Sequence, residues 1–501
     1  MLRNIPLDSN VKIYCMFKKY RIALLFATLA SIDSFSQETI FTKDSLNKAS
    51  HSLTEEQKLL NKYMRNSRRK FSPRSLSLGE NMRTRIVTQE LERRKQELAN
   101  KPNSVTFEID TTECHHHPKH VLKINTFGVY SGDYVNVSNN NQSMGYYLGL
   151  GAAQFTLKTE DNGWWKNGAL SLFVANTHGD NPSAQNTGDL QVFDNLEAPN
   201  PKQWKFGNNA SLANRSFFYE FYYQQVIKNF RILVGQSDLN YDFQYSNYAS
   251  NLLNSSFGIS PEVTVNVPTY STYPFTAFGI RADYKFNDFF LRGAITQGNP
   301  GNHISNVYNL DFRLDGQFGA YMIAELEYEK MLSDDVFKTN LRAGIWHHTS
   351  DFMNFKDSTN HSGNTGVYFI GEQLVYAEKD DNAQGLGVFL QTGYTPGDFN
   401  VINGYIGAGL AYTGLIPKRD GDVLAFGIAN PFFNKYQVKD DGYTKVKERA
   451  WELNYAAAIN DHISITPCIQ YIQNPGFSDG DNPFVFMIRT SIRGGELYNN
   501  R

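Results

Sequence analysis

From residue 121 to the end of the chain, apolar and polar residues alternate with a period of two, and this alternation limits the fold more than any other feature. Successive side chains of a strand point to opposite faces. In "SFFYEFYYQQ" the spacing puts Phe217, Tyr219, Phe221 and Tyr223 on one face and Glu220, Tyr222 and Gln224 on the other. In "FGIRADYKF", Phe278, Ile280, Ala282, Tyr284 and Phe286 oppose Arg281, Asp283 and Lys285. "AYMIAELEYEK" sets Met322, Ala324, Leu326 and Tyr328 against Glu325, Glu327 and Glu329. "HISITPCIQYI" sets Ile463, Ile465, Ile469 and Tyr471 against Ser464, Cys468 and Gln470. A soluble sandwich also buries one face of each strand, so the pattern by itself leaves sandwich and barrel open.

Three further features favour a barrel in a membrane. Aromatic residues recur near strand ends, at Trp164, Trp165, Trp346, Tyr405 and Tyr412, as interfacial girdles require. Connections are very unequal, from "FNDF" to long Asn/Gly/Ser-rich stretches such as 175–213 and 239–275. Short turns at one rim and long loops at the other produce that inequality. The N-terminal "MFKKYRIALLFATLASIDSFSQ" joins a basic region to a short apolar run and small residues, the pattern of a secretory signal cleaved before Gln37. Met16 is the expected initiator, which would leave Cys15 outside the mature protein. No other stretch is apolar for long enough to form a spanning helix.

The expected fold is therefore an all-β transmembrane antiparallel barrel with long extracellular loops and a charged N-terminal helical arm. The ~380 residues after position 120, at roughly 24 per strand and connection, predict about 16 strands. Residues 1–36 are assigned to the start and signal, 37–120 to a periplasmic charged helical or linker arm, and 121–501 to the barrel. The arm is read from "LTEEQKLLNKYMRNSRRKF" and "GENMRTRIVTQELERRKQELANK", charged segments with helical apolar spacing at Ile86, Leu91 and Leu98.

A formal charge of −2 lacks the basic footprint of a nucleic-acid binder. "TTECHHHPKH", residues 111–120, resembles a metal centre, with His115, His117 and His120 as candidate ligands. Adjacent residues of an extended chain diverge, however, and the stretch sits just before the first strand, so a solvated entry to the barrel is expected and no metal or cofactor. The chain has no His-Glu-x-x-His motif and no Ser/His/Asp arrangement tied to a recognisable block, and no enzymatic activity is expected. Cys114 and Cys468 are the thiols of the mature chain in an oxidising compartment; a disulfide between them would staple the arm to the penultimate strand.

Several blocks in order carry a family resemblance. They include "WWKNGALSLFVANTHG", "GDLQVFDNLEAP", "FFYEFYYQQ", "LLNSSFGISP", "GYIGAGLAYTGLIPKRDGDVLAFGIA" and "WELNYAAAINDHISITPCIQYIQNPG". From about residue 145 to 492 the chain resembles the carbohydrate-selective porins of the OprB family. The resemblance implies an outer-membrane barrel, a homotrimer, through which small sugars diffuse passively. The alternative is a general or polysaccharide-export channel without sugar selectivity.

A sugar presents hydroxyls and flat apolar faces, so carboxylate, amide and guanidinium groups beside aromatic rings suit a lumen that selects it. Alternation nominates Glu220, Gln224, Arg281, Asp283, Arg292, Glu325, Glu452 and Gln470 for the lumen, and "PKRDGD" adds Arg419 and Asp420 at a rim. Glu220 and Gln224 also match the family's Glu and Gln. The loop after "LVGQSDL" is long enough to fold into the channel, with Asn254, Ser255 and Phe257 near the constriction. One departure is the C-terminus, where "FVFMIRTSI" continues as "RGGELYNNR" and does not stop on an aromatic residue.

Overall fold

The alternating segments form one closed ring. The computed structural model describes residues 104–108 and 121–495, apart from breaks at 140–141, 199–213, 301–305, 307, 311, 313–318, 334–335, 379–383, 437–444, 446 and 479. The ring opens with β2 (Val121–Asn139), β3 (Gln142–Lys158), β4 (Gly168–Gly179), β5 (Arg215–Ile227) and β6 (Phe230–Ser237). It continues through β7 (Ala277–Phe286), β8 (Phe289–Gln297), β9 (Ala320–Ser333), β10 (Val336–Met353) and β11 (Asn360–Ala377). It is completed by β12 (Gly385–Tyr394), β13 (Ile402–Thr413), β14 (Val423–Phe433), β15 (Arg449–Ala458), β16 (Ile463–Gln473) and β17 (Phe484–Gly495).

Each strand pairs antiparallel with its sequence neighbours, and β17 returns to β2 from Phe484↔Ser138 to Gly495↔Phe127. Sixteen strands close in this way, the number expected, and closure leaves no unpaired edge within the ring. A further short strand, β1 (Ser104–Glu108), pairs with the start of β2 from Ser104↔Asn125 to Glu108↔Val121, inside the segment read as an arm. The signal, the rest of the arm, Cys114, His115, His117 and His120 lie outside the described residues.

Large apolar side chains project outward, among them Ile280, Leu291, Ile295, Ile345 and Ile488, and each is about half exposed. Such a surface suits hydrocarbon, which is where the family of folds with this alternation keeps it. The inward face is buried and rich in charge. Trp346 and Tyr405, read as girdle residues, point inward and are only 1% exposed, because they share strand parity with Arg342 and Gly407 and pack on a loop inside the barrel. Trp164 and Trp165 remain exposed, stacked together on the 159–167 turn, where an interfacial girdle would have them.

In β5 the alternation breaks. Phe173 of β4 faces Glu220 while the next residue, Val174, faces Phe218, so Tyr219 is an extra residue, a β-bulge. The bulge switches face, so Phe217 and Tyr219 are buried inward together with Glu220, Tyr222 and Gln224, while Phe221 stays exposed outside. The single apolar face expected for Phe217, Tyr219, Phe221 and Tyr223 is thus divided.

Connections at one mouth are the short turns, including 228–229, 287–288 and 459–462, whereas the opposite mouth carries 180–214, 238–276 and 298–319. Both ends of the ring, Val121 and Gly495, are at the short-turn mouth.

Candidate functional site

The loop 238–276 folds into the barrel and is fastened around its circumference by wall side chains. From β9, the Glu325 carboxylate accepts the Gln244 amide N–H at 2.9 Å. From β11, Glu372 accepts the Ser246 hydroxyl at 2.7 Å, the Asn247 amide group at 2.9 Å and the Tyr248 N–H at 2.8 Å. From β15, Glu452 accepts the N–H groups of Leu253 at 2.6 Å and Asn254 at 2.9 Å. Asn254 Nδ2 donates to Gln470 of β16 at 3.2 Å. Gln391 of β12 and Tyr405 of β13 donate to the carbonyls of Phe257 at 3.0 Å and Ser256 at 2.9 Å. Each bond satisfies a polar group of the loop, backbone or side chain, and leaving such a group buried without a partner costs about 1–3 kcal/mol.

Small wall residues make room for this loop. A Cβ on Gly387 would fall 1.8 Å from the Tyr248 ring, and one on Gly427 would fall 2.5 Å from Leu252 and 2.6 Å from Phe257. Leu252 and Phe257 are buried there with Ala425, Ala429, Ala450 and Ala456. The β12–β15 wall is therefore a seat for apolar loop side chains, whereas the β6–β10 wall is ionic.

On that ionic side, four arginines interlock with acids. Arg231 of β6 binds Asp283 and, at 2.8 Å, Asp242 of the loop. Arg281 reaches Asp242 at 3.0 Å and donates to the Asp238 carbonyl at 2.8 Å. Arg292 and Arg342 share Glu325 and Glu327, with Arg292–Glu325 at 2.9 Å and Arg342–Glu327 at 2.7 Å. Such groups tolerate burial only as a satisfied network, since an ion left without its partners is strongly destabilising.

A second loop segment, 180–198, meets the first. Ser255 N–H donates to the Val192 carbonyl at 3.0 Å, and Asn195 N–H to the Leu253 carbonyl at 2.9 Å. Arg489 of β17 ties it down through Asp194 at 2.8 Å and Asn195 at 2.8 Å, and also binds Asp133 of β2. Glu448, just before β15, accepts the N–H groups of Leu190 at 2.9 Å, Gln191 at 3.1 Å and Gly476 at 2.6 Å.

Burial, reinforced by Asp189, pushes the Glu448 carboxyl up to about 7. A raised carboxyl favours the folded state fully below its unfolded value, and that contribution is lost as pH climbs through about 7. Thermal unfolding in detergent is therefore expected to show stability falling from pH 5 to 8, with a flatter profile for Glu448→Gln. Parallel profiles for the two proteins would remove Glu448 as the source.

The lumen residues nominated by alternation all lie on the inward face of the strands. Glu220 accepts the Asp238 N–H at 2.9 Å, and Gln224 is buried two positions further along the same face. Arg281, Asp283, Arg292, Glu325, Glu452 and Gln470 join the loop ties and ion network above. Asn254 and Phe257 are each 1% exposed and locked to the wall, whereas Ser255 is half-buried. Arg419 and Asp420 are on the 414–422 turn at the short-turn mouth, and Arg419 pairs with Asp422 at 2.7 Å. Cys468 is a buried free thiol whose Sγ sits 3.6 Å from Glu452.

Sequence reasoning missed Arg231, Arg342, Glu372 and Arg489. Arg231 and Arg342 nevertheless stand between outward apolar residues, in "FRILV" and "NLRAGI", so the same alternation marks them; Glu372, between Gly371 and Gln373, and Arg489, between Ile488 and Thr490, are marked less clearly.

Residues 142–493, well over half the chain and almost the whole ring, match the model of the carbohydrate-selective porin, OprB family. The chain belongs to this family. Porin B of Pseudomonas aeruginosa is 23% identical over 250 residues, covering 43% of this chain and 55% of that protein, so the match spans about half of the relative's length. The high-pH structure of Pseudomonas putida OprB superposes with a TM-score of 0.64 at 19% identity, covering 74% of this chain and 94% of that one. That likeness gives the OprB porin the same barrel. The family and the fold place it in the outer membrane as a porin, a class of channel.

Proposed function

We propose that this OprB-family porin lets small sugars diffuse passively across the outer membrane, with the loop 238–276 as the selective constriction. The observation that carries the reading is the loop itself, held across the lumen by carboxylates and amides from β9, β11, β12, β15 and β16. A hydrogen-bonding wall matches sugar hydroxyls, and half-buried Tyr248 offers a ring for a sugar face. Binding that remains weak preserves flux.

In this reading Glu220, Gln224, Arg281, Asp283, Arg292, Glu325, Glu452 and Gln470 act on a passing sugar chiefly by fixing the loop. Arg419 and Asp420 belong to the periplasmic rim, and the arm extends into the periplasm. Supporting that orientation, Val121 and Gly495 share the short-turn mouth, opposite the long loops. A homotrimer belongs to the same proposal and is tested by chemical crosslinking.

The decisive experiment is a planar-bilayer recording of the purified protein, with liposome swelling by sugars of graded size. The expected result is an ohmic conductance partly blocked by mono- or disaccharides, with sugars entering faster than amino acids of similar mass. Equal rates for both solute classes would favour a general or export channel, and no conductance at all would sink both readings.

A further inference from the structure

The outer wall over β7–β10 has a depression of its own. Strand register places Ala282 beside Gly293, Gly293 beside Ala324 and Ala324 beside Ile345, so one cross-strand row on the outward face is built mainly of small residues. The next row towards the long-loop mouth is Ile280, Ile295, Met322 and His347; the row on the other side is Tyr284, Leu291 and Leu326. Ile280, Ile295, Leu291 and Leu326 stand 52%, 58%, 52% and 44% exposed, so they are ridges flanking a low floor. A cavity of about 980 Å³ lies over this part of the wall.

Two described residues beyond β8, Tyr308 and Phe312, stand at the upper end of the depression. Tyr308 accepts a hydrogen bond from the Phe218 N–H of β5 at 3.1 Å, and Phe312 packs edge-on against Phe278 at 5.9 Å. Phe278 shares the outward face with Ile280 and lines the cavity.

Among the outward residues that line the cavity, polar side chains gather at one end. His347, Thr349 and Gln297 line it near the long-loop mouth, while the other outward lining residues, Ile280, Ala282, Gly293, Ile295, Met322 and Ala324 among them, are apolar; the Tyr284 hydroxyl is outside the cavity lining, on the opposite flanking row. His347 Nδ1 is engaged with Thr365 Oγ1 at 2.8 Å, which leaves Nε2 as its outward-facing polar atom. Thr349 Oγ1 accepts the Ala320 N–H at 2.8 Å and keeps its own proton to donate.

We propose that this trough binds an acyl chain of a phosphate-bearing membrane lipid, with the headgroup at the His347 end. The wall outside a membrane barrel meets hydrocarbon, so the ligand at hand is an amphiphile, and a site that is apolar along its length and polar at one tip has an amphiphile's polarity. With no Cβ on Gly293, a chain can lie directly against the backbone of the wall. Strands of such barrels tilt by roughly 35–45°, so a row running across them is oblique to the membrane plane.

Filling the floor tests the site. A Cβ on Gly293 meets nothing closer than the Ile323 carbonyl at 3.8 Å, so Gly293→Leu and Ala324→Leu enter the trough without touching the lumen. Native mass spectrometry of the detergent-purified protein with added dipalmitoyl phosphatidylglycerol is expected to show one retained lipid. The double variant should hold it roughly tenfold more weakly, by loss of buried methylene contacts. The heat-modifiable electrophoretic shift and the conductance should be unchanged. His347→Leu should retain the chain but lose the preference for phosphatidylglycerol over dipalmitoylglycerol. Equal lipid retention by wild type and the filled variant would overturn the proposal. So would a filled variant that loses crosslinked oligomers, because the occupant would then be a second copy of the chain. An undiminished headgroup preference in His347→Leu would overturn the headgroup placement.

Discussion

Glu452→Ala is expected to raise single-channel conductance and abolish most of the block by sugars. The substitution removes both acceptors of the Leu253 and Asn254 N–H groups, at 2.6 and 2.9 Å, in the middle of the loop. Hydrogen bonds to a charged group contribute about 1.5–3 kcal/mol each. Losing about 3 kcal/mol at this point changes the ratio of seated to released loop by about 100-fold. Glu452→Gln keeps one acceptor oxygen and should fall between wild type and Glu452→Ala. Recordings of the alanine variant with unaltered conductance and unaltered sugar block would show that the loop is held adequately without Glu452.

The second large effect concerns stability. Arg292→Met should lower folding stability by about 3–5 kcal/mol, because it leaves the buried Glu325 and Glu327 to share Arg342 as their counter-charge. The side chains of Arg292, Glu325 and Glu327 are fully buried, so water cannot replace the guanidinium. Heating before electrophoresis reports this, as a lower temperature at which the compact band is lost. Adding Glu327→Gln removes one of the stranded charges and should restore part of the loss, which makes the pair strongly non-additive. Additive effects of the two substitutions would mean that the network is not coupled as the geometry indicates.

The closed ring was legible because a barrel wall imposes alternation on every strand, and a single parity decision sorts lumen from lipid. That is why Arg281, Asp283, Arg292, Glu325, Glu452 and Gln470 were assigned to the inward face. Parity fails where a residue is added, and nothing local in "FFYEFYYQQ" marks Tyr219 as a bulge. Trp346 and Tyr405 were misread for a different reason: a girdle and a buried loop seat both ask for aromatics near strand ends. The loop's fastening was not legible either, since Glu452 and Leu253 are 199 residues apart. A fainter signal existed in the glycine and alanine run of "GYIGAGLAY", "LAFGIAN" and "NYAAA", which marks the side of the wall that leaves room.

The way the loop is gripped has a consequence for redesign. Glu325, Glu452 and Glu448 hold peptide N–H groups, and every amino acid except proline supplies one. The socket thus reads the course of the chain more than the identity of its side chains. Positions such as Ser255 become interchangeable inserts in a fixed mount, open to libraries that retune what passes, while proline at Leu253 or Asn254 is the substitution the mount cannot accept.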